Sequence, residues 1–278
     1  MNHAGPLAPH HRNAPQRVAA IIPAHNVGRI IASTVRSCRA IPGVDLIIVI
    51  DDASTDDTAR AARHAGATVV SHTVMRGRAS AIETGVKVAA MRDHSDWPPR
   101  LLLLLSGDLG ESTVEATILV EAVMSGRADC AIATPPGAEA PPRTVSENLA
   151  RASIRRATGW NARSPLKQER CLTREAITVS MPFASGTGLE AAMAIDILTA
   201  GLSVVELPCS FVHHDPHGHA RTSRRSRNPA EVLLGVVKRR IVGRRMPRAQ
   251  RTPITKQHPV GDPYPRAAYE RLAVSDEA

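Results

Sequence analysis

Arg100-Leu-Leu-Leu-Leu-Leu-Ser-Gly-Asp-Leu-Gly-Glu-Ser-Thr113 is the stretch from which the fold can be read. Five consecutive leucines run into Ser106-Gly107-Asp108, and a helix-like segment follows from Ser112 to Met124. A short, uniformly apolar run fits a strand buried on both faces of a mostly parallel sheet; a half-exposed strand would alternate. Ligands of such sheets bind beyond the carboxyl ends of the strands, where the chain turns into the next helix. Asp108 stands at that place. Its carboxylate suits a divalent cation held against a diphosphate; the structural alternative is a helix-capping aspartate.

The flanking sequence repeats the strand-then-helix rhythm. Arg17-Val-Ala-Ala-Ile-Ile22 is an apolar strand closed by Pro23-Ala-His-Asn26, and a helix carrying Ile30, Ile31 and Val35 runs from Gly28 to about Ala40. Asp45-Leu-Ile-Ile-Val-Ile50 is a second buried strand, ending in Asp51-Asp-Ala-Ser-Thr-Asp-Asp-Thr58 and a helix through His64. A third strand is expected over residues 66–70, a helix over 79–91, and another strand over 129–133. A Pro/Gly/Ala linker at 135–142 precedes a basic amphipathic segment at 145–158, a helix beginning near Thr187, and a late strand over 202–212 that runs into His213-His214. This alternation predicts an α/β fold with a mostly parallel, Rossmann-like sheet flanked by helices.

Composition narrows the function classes. With 278 residues, 43% hydrophobic, the chain can bury a substantial core, and aromatics at 2% leave that core to Ala, Val, Leu and Ile. Few aromatic faces argue against a base-stacking nucleic-acid module. Cys38, Cys130, Cys171 and Cys209 are scattered, with no paired spacing for zinc or a disulfide framework, so a reducing cytoplasm is expected. The segment 1–16 reads as a disordered leader with no apolar signal core. The net charge is +9, but residues 221–251 hold eleven Lys/Arg against the single acid Glu231. Of 35 basic and 26 acidic residues, 24 and 25 therefore remain elsewhere, and the body is nearly neutral. That balance disfavours a nucleic-acid-binding body.

Within the turn after the second strand, Ser54 or Asp56 can serve as a helix cap. Capping leaves Asp51 and Asp52 unexplained; adjacent acids at a sheet edge suit hydrogen bonding to a ribose or nucleoside. Ile22-Pro-Ala-His-Asn26, Ile50-Asp-Asp-Ala-Ser-Thr-Asp-Asp-Thr58, Gly77-Arg-Ala-Ser-Ala-Ile-Glu-Thr-Gly85 and Leu105-Ser-Gly-Asp108 follow one another in an order that resembles family-2-type glycosyltransferases of GT-A fold. They are similar to that group's P-A-x-N strand end, its D-D-x-S-x-D-x-T turn, its G-K-G-x-A…G segment and its D-x-D, over residues 17–135. The resemblance implies a GT-A nucleotide-diphospho-sugar transferase fold and a UDP- or GDP-sugar donor. It places Pro23, Ala24, His25, Asp51, Asp52, Ser106 and Gly107 around that donor and Arg78 on its diphosphate. Arg78 has the alternative of an ordinary solvated arginine.

Farther on, Ser164-Pro-Leu-Lys-Gln168, Met181-Pro-Phe-Ala-Ser-Gly-Thr-Gly-Leu-Glu190, Glu206-Leu-Pro208 and His214 with Gly218 resemble glucosyl-3-phosphoglycerate synthases and related small transferases. By that resemblance His214 joins Asp108 in binding Mg²⁺ or Mn²⁺, and Glu190 faces the sugar or acceptor as a candidate base. Glu190 is equally suited to a first helical turn, where the dipole favours an acid. His213, His214, His217 and His219 invite a zinc reading, but without a cysteine partner a single ligand, His214, is preferred, with the others on an exposed loop. A cation and a positive side chain are what the chemistry asks for, since the leaving diphosphate gains charge as the glycosidic bond breaks.

The chain departs from the family pattern at four positions. Ser106 replaces the first acid of D-x-D, Val27 replaces a glutamate after P-A-x-N, Arg78 replaces lysine, and Ala79 replaces glycine. These changes leave open a non-catalytic nucleotide-sugar-binding or scaffold protein of the same fold. The expected organisation is a leader at 1–16, a transferase domain at 17–222 with a nucleotide-sugar half (17–135) and an acceptor-side half (143–222), a basic amphipathic helix at 223–246, and a disordered tail at 247–278. Within residues 228–245, Leu233, Val237 and Ile241 share a stripe beside a basic cluster. Such a helix suits an anionic membrane surface, placing the protein in the cytoplasm or peripheral to the inner face of the membrane, with a small phosphorylated or polyprenyl-phosphate acceptor. It equally suits docking on the body or on the mate of a homodimer.

Overall fold

A computed structural model describes residues 16–137, 144–214, 220–221, 229–230, 232–235, 246, 251 and 258–265. Residues 1–15 of the expected 1–16 leader, the middle of the 135–142 linker, His217 and His219, and most of the 228–245 helix and 247–278 tail lie outside the described residues.

The elements are β1 (Val18–Ala24), α1 (Ile31–Arg39), β2 (Val44–Asp52), α2 (Thr58–His64), β3 (Thr68–His72), α3 (Arg78–Met91), β4 (Leu101–Leu104), a 3₁₀ segment (Gly110–Ala116), α4 (Thr117–Met124) and β5 (Cys130–Thr134). They continue with α5 (Val145–Thr158), β6 (Arg170–Leu172), α6 (Arg174–Val179), a 3₁₀ turn (Gly186–Gly188), α7 (Leu189–Thr199), β7 (Val204–Pro208), β8 (His213–His214) and β9 (Ala220–Arg221). The seven-stranded sheet has the order β3-β2-β1-β4-β6-β5-β7. All neighbours are parallel except β6, which runs antiparallel to β4 and β5.

Alternate side chains along the strands feed two cores. Ala19, Ile21, Ile48, Ile50, Leu102 and Leu104 pack beneath α3, α5, α6 and α7. Val18, Ala20, Ile22, Ile47, Val49 and Leu103 pack beneath α1, α2 and α4. The leucine strand therefore has no solvent face, which is why it is apolar at every position. From β1 the chain moves outward through β2 to β3, then crosses back to β4 on the other side of β1. The carboxyl ends of β1 and β4 thus flank the point where the winding reverses, the usual crevice of an open α/β sheet.

Several local expectations are corrected. The segment expected as a helix from Ser112 is 3₁₀ up to Ala116 and α-helical only from Thr117. The third strand is shifted to Thr68–His72. The late strand stops at Pro208, whose missing N–H cannot extend a ladder. Strand β6 was not anticipated, because three residues carry no periodicity, and it makes the sheet mixed. Helix α5 has a full capping box between Thr144 and Glu147 and ends at left-handed Gly159.

Part of the expected disordered tail is a structural strap. Tyr264 pairs with Val204 through two backbone hydrogen bonds of 2.8 Å, and its hydroxyl donates to the Thr158 carbonyl at 2.8 Å. In the 228–245 segment, Val232 is buried while Leu233 and Leu234 are exposed. Gly235 lies against the backbone of Gly188, and a Cβ there would come within 3.1 Å of the Gly188 Cα. Among the described residues, no helix is long and apolar enough to cross a membrane.

Candidate active site at the sheet switch point

Two turns after β1 and β2 are stitched into one platform. Asn26, at φ +51°, accepts from the Thr55 N–H (2.9 Å) through its side-chain oxygen. The Ser54 hydroxyl accepts from the Asn26 N–H, Thr58 from the Val27 N–H, and Asp56 from the Gly28 N–H. His25 donates from Nδ1 to the Asp52 carbonyl (2.9 Å), and its Nε2 accepts from Asn26. The tautomer follows from those partners. Pro23 and Ala24 close β1 immediately beside these turns.

Asp51 and Asp52 are both buried at the β2 end. Asp51 accepts from the Ser54 N–H. Asp52, assigned from sequence to the nucleoside, instead directs its carboxylate at the protein: it accepts from the Arg76 N–H (2.9 Å), the Gly77 N–H (2.7 Å) and His72 Nδ1 (2.8 Å). These bonds fix the loop that delivers Arg78 to the first turn of α3. Burial pushes the Asp52 carboxyl up, but the Arg76 and Gly77 amides and His72 outweigh it and hold the group below the usual range.

Arg78 is not a solvated arginine. Its Nε donates to Glu190 Oε1 at 3.3 Å and its Nη2 to the Gln168 carbonyl at 3.1 Å. Glu190 is buried in the first turn of α7, after the glycine-rich turn. The two candidate residues meet as an ion pair linking the two halves of the domain.

At the β4 end, Gly107 is closely packed: a Cβ would stand 3.2 Å from Ala24 Cβ and Val27 Cγ2, so a side chain there would press on both. Thr34, buried on α1, donates to the Gly107 carbonyl (3.0 Å) and accepts from the Gly110 N–H (2.9 Å), so it holds both sides of the turn around Asp108. Ser106 hydrogen-bonds the Asp108 carboxylate.

His214, expected to join the Asp108 carboxylate at a cation, meets the main chain of Asp108 instead. The His214 N–H donates to the Asp108 carbonyl (2.9 Å), and its Nδ1 lies 3.1 Å from the same oxygen. The carboxylate itself meets His213, whose Nδ1 is 3.1 Å from Asp108 Oδ1. His213 is thus half-buried against the site, not on the exposed loop expected for it. Burial raises the Asp108 carboxyl, and His213 with Ser106 more than offsets this and keeps it low.

Glu169 and Lys167 were not singled out from the sequence. Because β6 is antiparallel, its first residues lie at the carboxyl ends of β4 and β5, where Arg170 pairs with Leu104 and Ile132. Glu169 is 1% exposed, and neither carboxylate oxygen accepts a hydrogen bond among the described residues. Lys167 Nζ lies 3.2 Å from one oxygen and His213 Nε2 4.0 Å from the other. Burial pushes the Glu169 carboxyl up, yet Lys167, His213 and Arg78 together hold it below the ordinary range.

Among the described residues, no three His, Cys, Asp or Glu side chains converge as a metal cage. One carboxylate and an imidazole instead fit a cation that arrives with a diphosphate, whose oxygens complete the shell. The chemistry at this edge combines a low-pKa carboxylate, imidazoles, an arginine and a buried glutamate. Such a set can neutralise an anion and accept a proton within one crevice.

The solved structure of glucosyl-3-phosphoglycerate synthase from Mycobacterium tuberculosis with Mn²⁺, UDP and glucosyl-3-phosphoglycerate is similar to this chain with a TM-score of 0.58, 23% identity, and coverage of 84% of this chain and 82% of that one. Its complex with phosphoglyceric acid gives a TM-score of 0.61 at 23% identity, covering 88% of each chain. At such identities these likenesses establish the fold. In sequence, glycosyltransferase AglJ of Haloferax volcanii is 26% identical over 201 residues, 71% of this chain and 63% of AglJ. An uncharacterised protein of Methanocaldococcus jannaschii is 28% identical over 112 residues, 40% of this chain and 44% of its own. The chain thus matches less than two thirds of the length of these relatives. The profile of glycosyl transferase family 2 matches residues 19–187, spanning the platform, Arg78, Asp108 and Glu169, and the chain belongs to that family.

Proposed function

We propose that the protein transfers a sugar from a uridine or guanosine diphosphate donor to a small phosphorylated or polyprenyl-phosphate acceptor. The observations supporting this reading are the contacts of His213 and His214 with Asp108 at the β4 end and the buried Arg78–Glu190 ion pair, with Arg78 and His213 both acting electrostatically on Glu169. The M. tuberculosis synthase, seen with Mn²⁺, UDP-glucose and phosphoglyceric acid, supports a nucleotide-sugar donor and an anionic acceptor.

In this reading the nucleoside lies on the Pro23-Ala24-His25 turn beside Asp51, and the diphosphate lies over Ser106 and Gly107. Asp108 and His214 would hold Mg²⁺ or Mn²⁺, which when bound neutralises charge building on the departing diphosphate. Arg78 adds a positive charge at the far side and orients Glu190 through their 3.3 Å contact. Glu190 accepts the proton of the acceptor hydroxyl as that oxygen attacks. Asp52 acts at one remove, by fixing the loop that carries Arg78.

The test is donor turnover. The protein, incubated with UDP- and GDP-sugars and Mn²⁺, is expected to release nucleoside diphosphate slowly without acceptor, and the Asp108→Ala variant to lose that release. Donor binding without turnover under any acceptor would instead favour the non-catalytic binder that Ser106, standing where the family pattern has an acid, brings into view.

A further inference from the structure

The Lys167 ammonium has a position that the established family membership leaves unassigned. It lies 3.2 Å from Glu169 Oε2, 3.5 Å from His213 Nε2 and 5.6 Å from the centre of the Phe211 ring. His213 spans the gap to the metal-side carboxylate, its Nδ1 3.1 Å from Asp108 Oδ1. The ammonium is therefore one imidazole away from the carboxylate assigned to the cation.

A buried carboxylate is costly unless opposite charge compensates it. Glu169 is 1% exposed and accepts no hydrogen bond among the described residues, so its compensation is chiefly the nearby positive charge. The arrangement fixes a lysine whose side chain is 22% exposed at the crevice. A lysine on a flexible stem would otherwise point to solvent, and the aromatic face of Phe211 and the acid beneath it keep it in place. The same crevice lacks one negative charge, because Ser106 stands where the family pattern has an acid. With one carboxylate fewer at Ser106, the Lys167 ammonium, paired with Glu169 and 3.5 Å from the imidazole that meets Asp108, is a positive group already held at the crevice.

We infer that Lys167 is a built-in cation of the donor site: its ammonium neutralises part of the donor's diphosphate charge, so that nucleoside diphosphate binds without a divalent ion. Glu169 is the positioning residue that aims the ammonium. The inference rests on the donor reading above and goes beyond it by naming a lysine as partial substitute for the metal.

Binding of UDP and of GDP by titration calorimetry, in EDTA and in Mn²⁺, tests it. One of the two nucleotides is expected to bind the unmodified protein in EDTA within about tenfold of its affinity in Mn²⁺. Lys167→Met is expected to weaken binding in EDTA by about tenfold or more, the scale of one charge-assisted hydrogen bond to phosphate, and by less in Mn²⁺. If K167M unfolds because Glu169 is left uncompensated, the K167M/E169Q double variant, with both charges removed, carries the same comparison. Binding by the unmodified protein only when Mn²⁺ is present, or lysine variants that bind in EDTA like the unmodified protein, would overturn the inference and leave the donor reading standing. Absence of binding of either nucleotide with or without Mn²⁺ would overturn the donor reading and the inference together.

Discussion

Arg78, the first residue of α3, and Glu190, in the first turn of α7, are 112 positions apart in sequence and meet at 3.3 Å. The contact joins the segment before the 135–142 linker to the segment after it. Glu190 is nearly inaccessible and Arg78 largely so, with side-chain exposures of 6% and 19%. Removing one partner leaves a buried charge, which costs about 3–5 kcal/mol in the fully buried limit. Arg78→Met is expected to lower stability toward the lower end of that range because the arginine side chain is 19% exposed and not fully buried, with R78M/E190Q recovering part of the loss. Urea denaturation of the two variants measures both.

Glu190→Gln keeps the shape of the side chain and removes the proton acceptor. Transfer to acceptor is expected to fall about 10²–10⁴-fold, the usual scale for general-base catalysis. UDP or GDP binding should change little. Steady-state transfer assays beside calorimetry separate the two effects, and a transfer rate equal to that of the unmodified protein would remove Glu190 from the mechanism.

The pH dependence of stability should carry a signature of Asp52. Its folded pKa lies below the unfolded value, because two backbone amides and His72 outweigh the upward effect of burial. Such a group contributes stability that is fully present above the ordinary carboxylate range and is lost as pH falls through that range toward the folded pKa. Asp52→Asn is therefore expected to lower the melting temperature at neutral pH and to flatten its decline on acidification. Parallel melting curves across that window would show equal slopes if the carboxylate contributed nothing.

Gly85 shows how close α3 lies to β1. A Cβ at this position would meet Ile21 Cγ2 at 2.4 Å, inside van der Waals contact. Gly85→Ala is expected to destabilise the protein by about 1–3 kcal/mol, the usual range for overpacking a filled core. The shift in the urea midpoint reads this directly; an unchanged midpoint would mean that helix and strand separate freely.

Tyr264 ties the C-terminal strap to α5. Tyr264→Phe removes the donor to the buried Thr158 carbonyl and is expected to cost about 1–2 kcal/mol. Amide exchange at Val204, whose N–H donates to the Tyr264 carbonyl at 2.8 Å, should accelerate in the variant.

The sequence alone determined the layers and their edge. Buried parallel strands must be apolar at every position, so the leucine run and its two predecessors were legible, and the residues just past each strand end had to form the crevice. Pro23, Asp51, Asp52 and Asp108 were placed there by local pattern alone. What the local pattern could not determine was the partner of each side chain. Asp52 reads as a nucleoside contact until the loop at 73–77 folds back onto its carboxylate. Glu169 and Lys167 sit in a segment without periodicity, and only the reversed direction of three-residue β6 carries them to the β4 edge. His213 and His214 are adjacent and chemically alike; the backbone pairing of His214 with Asp108 decides which imidazole reaches the carboxylate. Covalent spacing sets where a strand ends, whereas the approach of groups a hundred residues apart depends on how the whole sheet is wound.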